Sequence, residues 1–134
     1  VPNAEHIAIR SDRDVLVARQ RGRALGELAG FVATDLTLIA TAISELARNI
    51  VLYAREGEME LQLISEDHRR GLLIVARDHG PGIQDLEQAM QDGYSTSGGL
   101  GLGLPGVKRL MDSFEINSRP GAGTVVQIGK WIRS

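Results

Sequence analysis

The sequence contains no cysteine, so it has neither a disulfide scaffold nor thiolate chemistry; this agrees with a reducing cytoplasm. It has no basic excess either. A net charge of −2 gives no reason to expect nucleic-acid binding, which usually shows as clustered positive charge. Arginine outnumbers lysine thirteen to two, a compositional habit with no functional reading. No uninterrupted apolar run approaches the ~20 residues of a membrane span, and the segment VPNAEHIAIRSD lacks a signal-peptide core. Internal repeats, low-complexity tracts and linker-like stretches are also missing. The 134 residues are therefore expected to form one domain over 1–134, cytoplasmic and without a membrane partner.

Absences also narrow the chemistry. His6, His68 and His79 share no spacing and have no acidic partners at metal-ligand distances, so a zinc site is not expected. Nothing supports a Ser–His–Asp arrangement. No G-K-[ST] occurs, which removes the Walker A loop. Gly101, Gly103 and Gly106 do spell G-x-G-x-x-G, but the preceding DGYSTSG is no strand and GAGTVV downstream carries no acid, so the dinucleotide fingerprint fails.

What the chain does have is glycine in two clusters. Between Asp78 and Gly106 lie eight of its sixteen glycines. Glycine lets backbone N–H groups approach a ligand with no Cβ in the way, so the clusters suggest a nucleotide pocket. DHGPGI follows a predicted strand, and an Asp at a strand end can accept a hydrogen bond from the exocyclic amine of adenine. Guanine presents a carbonyl there and would meet acceptor with acceptor. The same residues also describe a plain turn. In GGLGLGLPGVKRL, Gly98, Gly99, Gly101 and Gly103 lead into a predicted helix over about 103–112, whose N-terminus attracts phosphate. Gly121, Gly123 and Thr124 sit at the entry to the last strand, either as a hairpin turn or as a Thr hydroxyl beside the base.

Upstream, Glu45 and Asn49 stand four residues apart in SELARNIVLYA and share a helix face with Thr41 and Arg48. Alone, such a pair equally describes a solvated stripe. As chemistry it is a neutral, hard oxygen ligand for Mg²⁺ beside a carboxylate able to orient or deprotonate an attacking hydroxyl.

Periodicity predicts a strand over 5–10, a helix from Asp12 to about Gly30 weakened by Gly22 and Gly26, and a helix capped by Thr34 or Asp35 and running to about Arg55. Two strands follow, EMELQLIS and LLIVARD, joined through EDHRRG. A short helix near 84–91, the glycine-rich stretch, the 103–112 helix and a closing strand–turn–strand complete the chain. The expected class is α+β, a two-layer sandwich with helices on one face of a mixed sheet.

The order E-x-x-x-N, D-x-G-x-G, G-x-G-x-G and G-x-G-T is far more specific than its parts. Over about 45–124 it resembles the GHKL superfamily of Bergerat-fold ATPases. The resemblance implies that Asn49 binds Mg²⁺ and that Asp78 binds adenine, with Gly80, Gly82 and Ile83 shaping the floor. It implies a phosphate loop of Gly98, Gly99, Leu100, Gly101, Leu102 and Gly103, with Thr124 behind the base and Glu45 as general base. Only fourteen residues lie between Ile83 and Gly98, too few for a gyrase or chaperone lid. Asp92–Gly99 is the expected lid. ISELARNIVLYA, ARDHGPGI and GLGLGLPGVKRLMD look like the RsbT-type switch kinases of stressosomes. That resemblance implies ATP and Mg²⁺ as cofactors and STAS-domain proteins as phosphoacceptor and scaffold. It also implies a downstream effector, usually a metal-dependent phosphatase. The alternative is an anti-sigma-factor kinase that binds a sigma factor and phosphorylates an anti-anti-sigma STAS protein.

Overall fold

In a computed structural model, which describes residues 4–83, 89–90 and 103–133, five strands and three helices form two layers. They are β1 (Ala4–Ile9), α1 (Asp12–Ala29), α2 (Ala33–Tyr53), β2 (Gly57–Glu66), β3 (Arg69–Asp78), α3 (Gly103–Leu110), β4 (Ser113–Ser118) and β5 (Thr124–Trp131). Strand order is β1-β2-β3-β5-β4. All four pairings run antiparallel, so the expected mixed sheet narrows to an antiparallel one.

Alternation along each strand sorts the sheet into two faces. Ile7, Met59, Ala76, Val126 and Ile116 lie abreast in register, as do Leu61, Ile74, Ile128 and Phe114. These rows face α1 and α2, and Met59, Leu61, Ile74 and Ile128 are almost wholly buried there. Each such side chain contributes roughly 1.5–3 kcal/mol of burial free energy.

Gly22 and Gly26, which weakened the α1 prediction, sit where α1 meets α2. A Cβ on Gly22 would lie 2.0 Å from Ile43 Cδ1, and one on Gly26 would lie 2.7 Å from Leu36 Cδ2. Close helix packing outweighs the propensity cost of about 1 kcal/mol per glycine. The cap of α2 differs from expectation. Val32 occupies the N-cap without a side-chain bond, and Thr34 and Asp35 fall inside the first turn, where the Asp charge complements the helix dipole. By length and a mean hydropathy of 1.3, α2 is long and apolar enough to cross a membrane; in this fold it is the central core helix.

At the far end of β5, Lys130 is buried and donates from Nζ to the Leu110 carbonyl at 2.8 Å, closing the C-terminus of α3. That bond ties the end of α3 to the sheet.

Candidate functional site

One row of the core-facing surface is not apolar. Ile9, Gly57, Asp78, Thr124 and Ser118 lie abreast across all five strands. Asp78 is two residues beyond Ala76 and so projects on the same face, at the end of the sheet where α2 finishes. Its neighbour on one side is Gly57, where a Cβ would lie 2.2 Å from the Arg77 carbonyl and 3.1 Å from Asp78 Cβ. On the other side is Thr124. Asp78 is thus flanked by a closely packed glycine on one side and a hydroxyl-bearing residue on the other.

Asp78 Oδ1 is committed to the backbone, accepting from Gly80 N–H at 2.9 Å and Thr124 N–H at 3.2 Å. These bonds hold the side chain in one orientation, and Oδ2 takes part in neither of them. Charge-assisted bonds to backbone N–H groups are stronger than neutral ones, so the aim of Oδ2 is well fixed.

The D-x-G-x-G and G-x-G-T segments pack directly on each other. Gly121 N–H donates to the Pro81 carbonyl at 2.6 Å, and Ile83 N–H to Ser118 Oγ at 2.8 Å. Gly82 (φ +76°) and Gly123 (φ +83°) occupy the left-handed region. Added Cβ atoms would lie 2.1 Å from the Arg119 carbonyl and 2.3 Å from the Asp78 carbonyl, respectively. Gly80 abuts the end of α2, with a Cβ there falling 2.6 Å from Ala54 Cβ. The plain-turn reading of DHGPGI accounts for none of these contacts between segments.

Glu45 is buried on α2, only 7% exposed, which is not the geometry of a solvated stripe. Arg48 Nη1 donates to its Oε1 at 3.0 Å. Asn49 is half-buried one helical turn further on, five residues before Ala54 and the Gly80 contact. Glu45, Asn49 and Asp78 are therefore carried by α2 and by the strand end that its C-terminus packs against. Gly103 opens α3 with φ +68°, and Pro105 stands in the first turn, where its missing N–H costs nothing. Gly98, Gly99, Leu100, Gly101 and Leu102, the Asp92–Gly99 stretch and most of the expected 84–91 helix lie outside the described residues.

Sequence reasoning missed Ser118 and Gly57. Gly57 and Ser118 enter the site only through strand register. Arg48 was legible from helical spacing, being three residues from Glu45.

The model of the histidine kinase-like ATPase domain matches residues 10–130. The serine/threonine-protein kinase RsbT of Bacillus subtilis is 51% identical over 127 residues, covering 95% of this chain and 96% of that protein. An anti-sigma F factor of Caldanaerobacter subterraneus is 33% identical over 104 residues, 73% of this chain and 71% of that protein. Among solved structures, the RsbU and RsbW domains of a Mycobacterium tuberculosis protein superpose with a TM-score of 0.67 at 19% identity, covering 95% of this chain and 31% of that one. The mycobacterial sensor histidine kinase MprB gives 0.56 at 17% identity, covering 96% and 97%. These two likenesses concern the fold. The chain belongs to the histidine kinase-like ATPase domain family, in the company of the RsbT-type serine/threonine-protein kinases.

Proposed function

We propose that the chain is an ATP-dependent serine/threonine protein kinase of a bacterial stress-response partner switch, with a STAS-domain protein as phosphoacceptor. The observation that carries this reading is the burial of Glu45 one helical turn from Asn49, on the helix whose end packs against the Asp78 loop. A carboxylate serving only as surface charge has no reason to be desolvated there.

The residues present fit ATP and Mg²⁺. Asp78 Oδ2 suits the exocyclic amine of adenine, and Gly80, Gly82 and Gly123 let the loops around it pack against Ala54, Arg119 and the Asp78 carbonyl. Gly103 suits the phosphates at the N-terminus of α3. Asn49 offers the single neutral oxygen typical of magnesium sites completed by phosphates and water. Bound MgATP supplies the phosphoryl group and the charge neutralisation.

The protein's own residues do the rest. With Oε1 held by Arg48, Glu45 presents Oε2 to the acceptor hydroxyl. That oxygen orients the hydroxyl and takes its proton late, because phosphoryl transfer is loose and positioning supplies most of the acceleration. Partner switching then follows the RsbT pattern: kinase held by a STAS scaffold and, once released, engaging a downstream effector, probed first as a metal-dependent phosphatase. The similarity to anti-sigma F factors sustains a second reading, binding of a sigma factor with phosphorylation of an anti-anti-sigma STAS protein. We place the protein in the cytoplasm, with no nucleic-acid or membrane partner.

The test is incubation with MgATP and STAS-domain proteins from the source, followed by mass spectrometry. Phosphate on one serine or threonine of a STAS partner is the expected result. ATP turnover with no protein phosphorylated would contradict the kinase reading.

A further inference from the structure

Ser118 belongs to none of the sequence motifs, yet its hydroxyl closes the β4 end of the polar row beside Thr124. Ile83 N–H donates to Ser118 Oγ at 2.8 Å, Thr124 Oγ1 lies 2.8 Å away, and the Gly123 carbonyl is 3.3 Å off as an acceptor. A hydroxyl has one proton and two lone pairs. The bond from Ile83 takes one lone pair, so two arrangements remain. In one, Thr124 donates to Ser118 and Ser118 donates to the Gly123 carbonyl. In the other, Ser118 donates to Thr124, and the Thr124 proton is free to turn away from Ser118. The second strands nothing, because Arg119 N–H reaches the Gly123 carbonyl at 3.4 Å.

We propose that Ser118 is a positioning residue for base recognition. By donating to Thr124 Oγ1, it directs the Thr124 proton to the acceptor ring nitrogen of adenine that neighbours the exocyclic amine. This deepens the ATP reading above and rests on it. Along that edge adenine shows a donor followed by an acceptor. Asp78 Oδ2 complements the first, and the Thr124 hydroxyl, directly or through one water, complements the second. The Thr124 N–H is already spent on Asp78 Oδ1, so the hydroxyl is the donor that Thr124 has left for a ligand. Ser118 fixes which way that hydroxyl reads. One serine thereby joins the floor at Ile83 to the base-reading threonine.

The experiment compares two nucleotides by calorimetry on the whole chain: ATP, and the ATP analogue in which that ring nitrogen is replaced by C–H. Ser118→Ala should weaken ATP binding about three- to tenfold while changing the analogue by less than about twofold. Ser118→Thr keeps the hydroxyl and should restore the wild-type preference. Thr124→Val should show the same selective loss, and Ser118→Ala added to it should cost little more, since both act on one bond. The Thr124→Val and Ser118→Thr arms read the relay even where Ser118→Ala folds poorly. Equal losses for ATP and analogue, or additive losses in the double variant, would overturn the relay and reduce Ser118 to loop support. A wild-type chain that binds neither nucleotide would overturn the ATP reading itself, a separate and distinguishable failure.

Discussion

Thr124 and Asp78 face each other across the β3–β5 ladder, and the Thr124 N–H donates to Asp78 Oδ1 at 3.2 Å. One carboxylate oxygen therefore serves the fold, and the other is the one we propose for a ligand. This division makes the role of Asp78 separable by mutation.

Asp78→Asn keeps an oxygen for the bonds from Gly80 and Thr124 but turns an amide donor toward the ligand. ATP binding should weaken by ~1–3 kcal/mol while the thermal midpoint changes little. The parent should prefer ATP to GTP. Titration calorimetry with both nucleotides checks this, and equal affinities in the parent would remove the adenine assignment.

Asn49 separates nucleotide affinity from metal use. Asn49→Ala should weaken ATP binding in the presence of Mg²⁺ and change metal-free binding much less, because the amide oxygen is assigned to the metal. Titrations with and without Mg²⁺ that shift by the same factor would take Asn49 out of the metal site.

Gly123→Ala tests the packing of the two motif segments. A Cβ there would meet the Asp78 carbonyl at 2.3 Å on a backbone with φ +83°. The expected cost is ~1–3 kcal/mol of stability, with ATP affinity falling as well because Asp78 itself must shift. Denaturant melts and calorimetry on the same preparation read both. Gly121→Ala is the control for added side-chain bulk: its φ is also positive, but no atom lies within 4 Å of its Cβ. Gly121→Ala should retain affinity.

The parts of the site that were legible in the sequence are those carried by glycine and by short spacing. Asp78 with Gly80 and Gly82 announced a tight loop, and Glu45 with Asn49 announced a shared helix face. Burial was not legible. Four-residue spacing fits a solvated stripe as well as a buried pair, and tertiary packing decides between them. Ser118 was hidden for a different reason. In SFEINS it is an unremarkable strand residue, and only the pairing Ser118↔Thr124↔Asp78 brings it to the site. Strand order and register are tertiary facts that local periodicity does not contain. The antiparallel pairing of every strand is of the same kind. Gly22 and Gly26 misled in the opposite direction, since they weaken a helix by propensity yet permit its closest contact.

The central claim is that Glu45 serves catalysis rather than nucleotide binding or folding, and single-turnover transfer at saturating MgATP and STAS partner tests it most directly. Glu45→Gln keeps an oxygen for Arg48 but cannot accept the proton. Glu45→Ala removes both functions. The account predicts near-normal ATP affinity in each variant, with phosphorylation slowed ~10²–10⁴-fold. Wild-type transfer rates in both variants would contradict it.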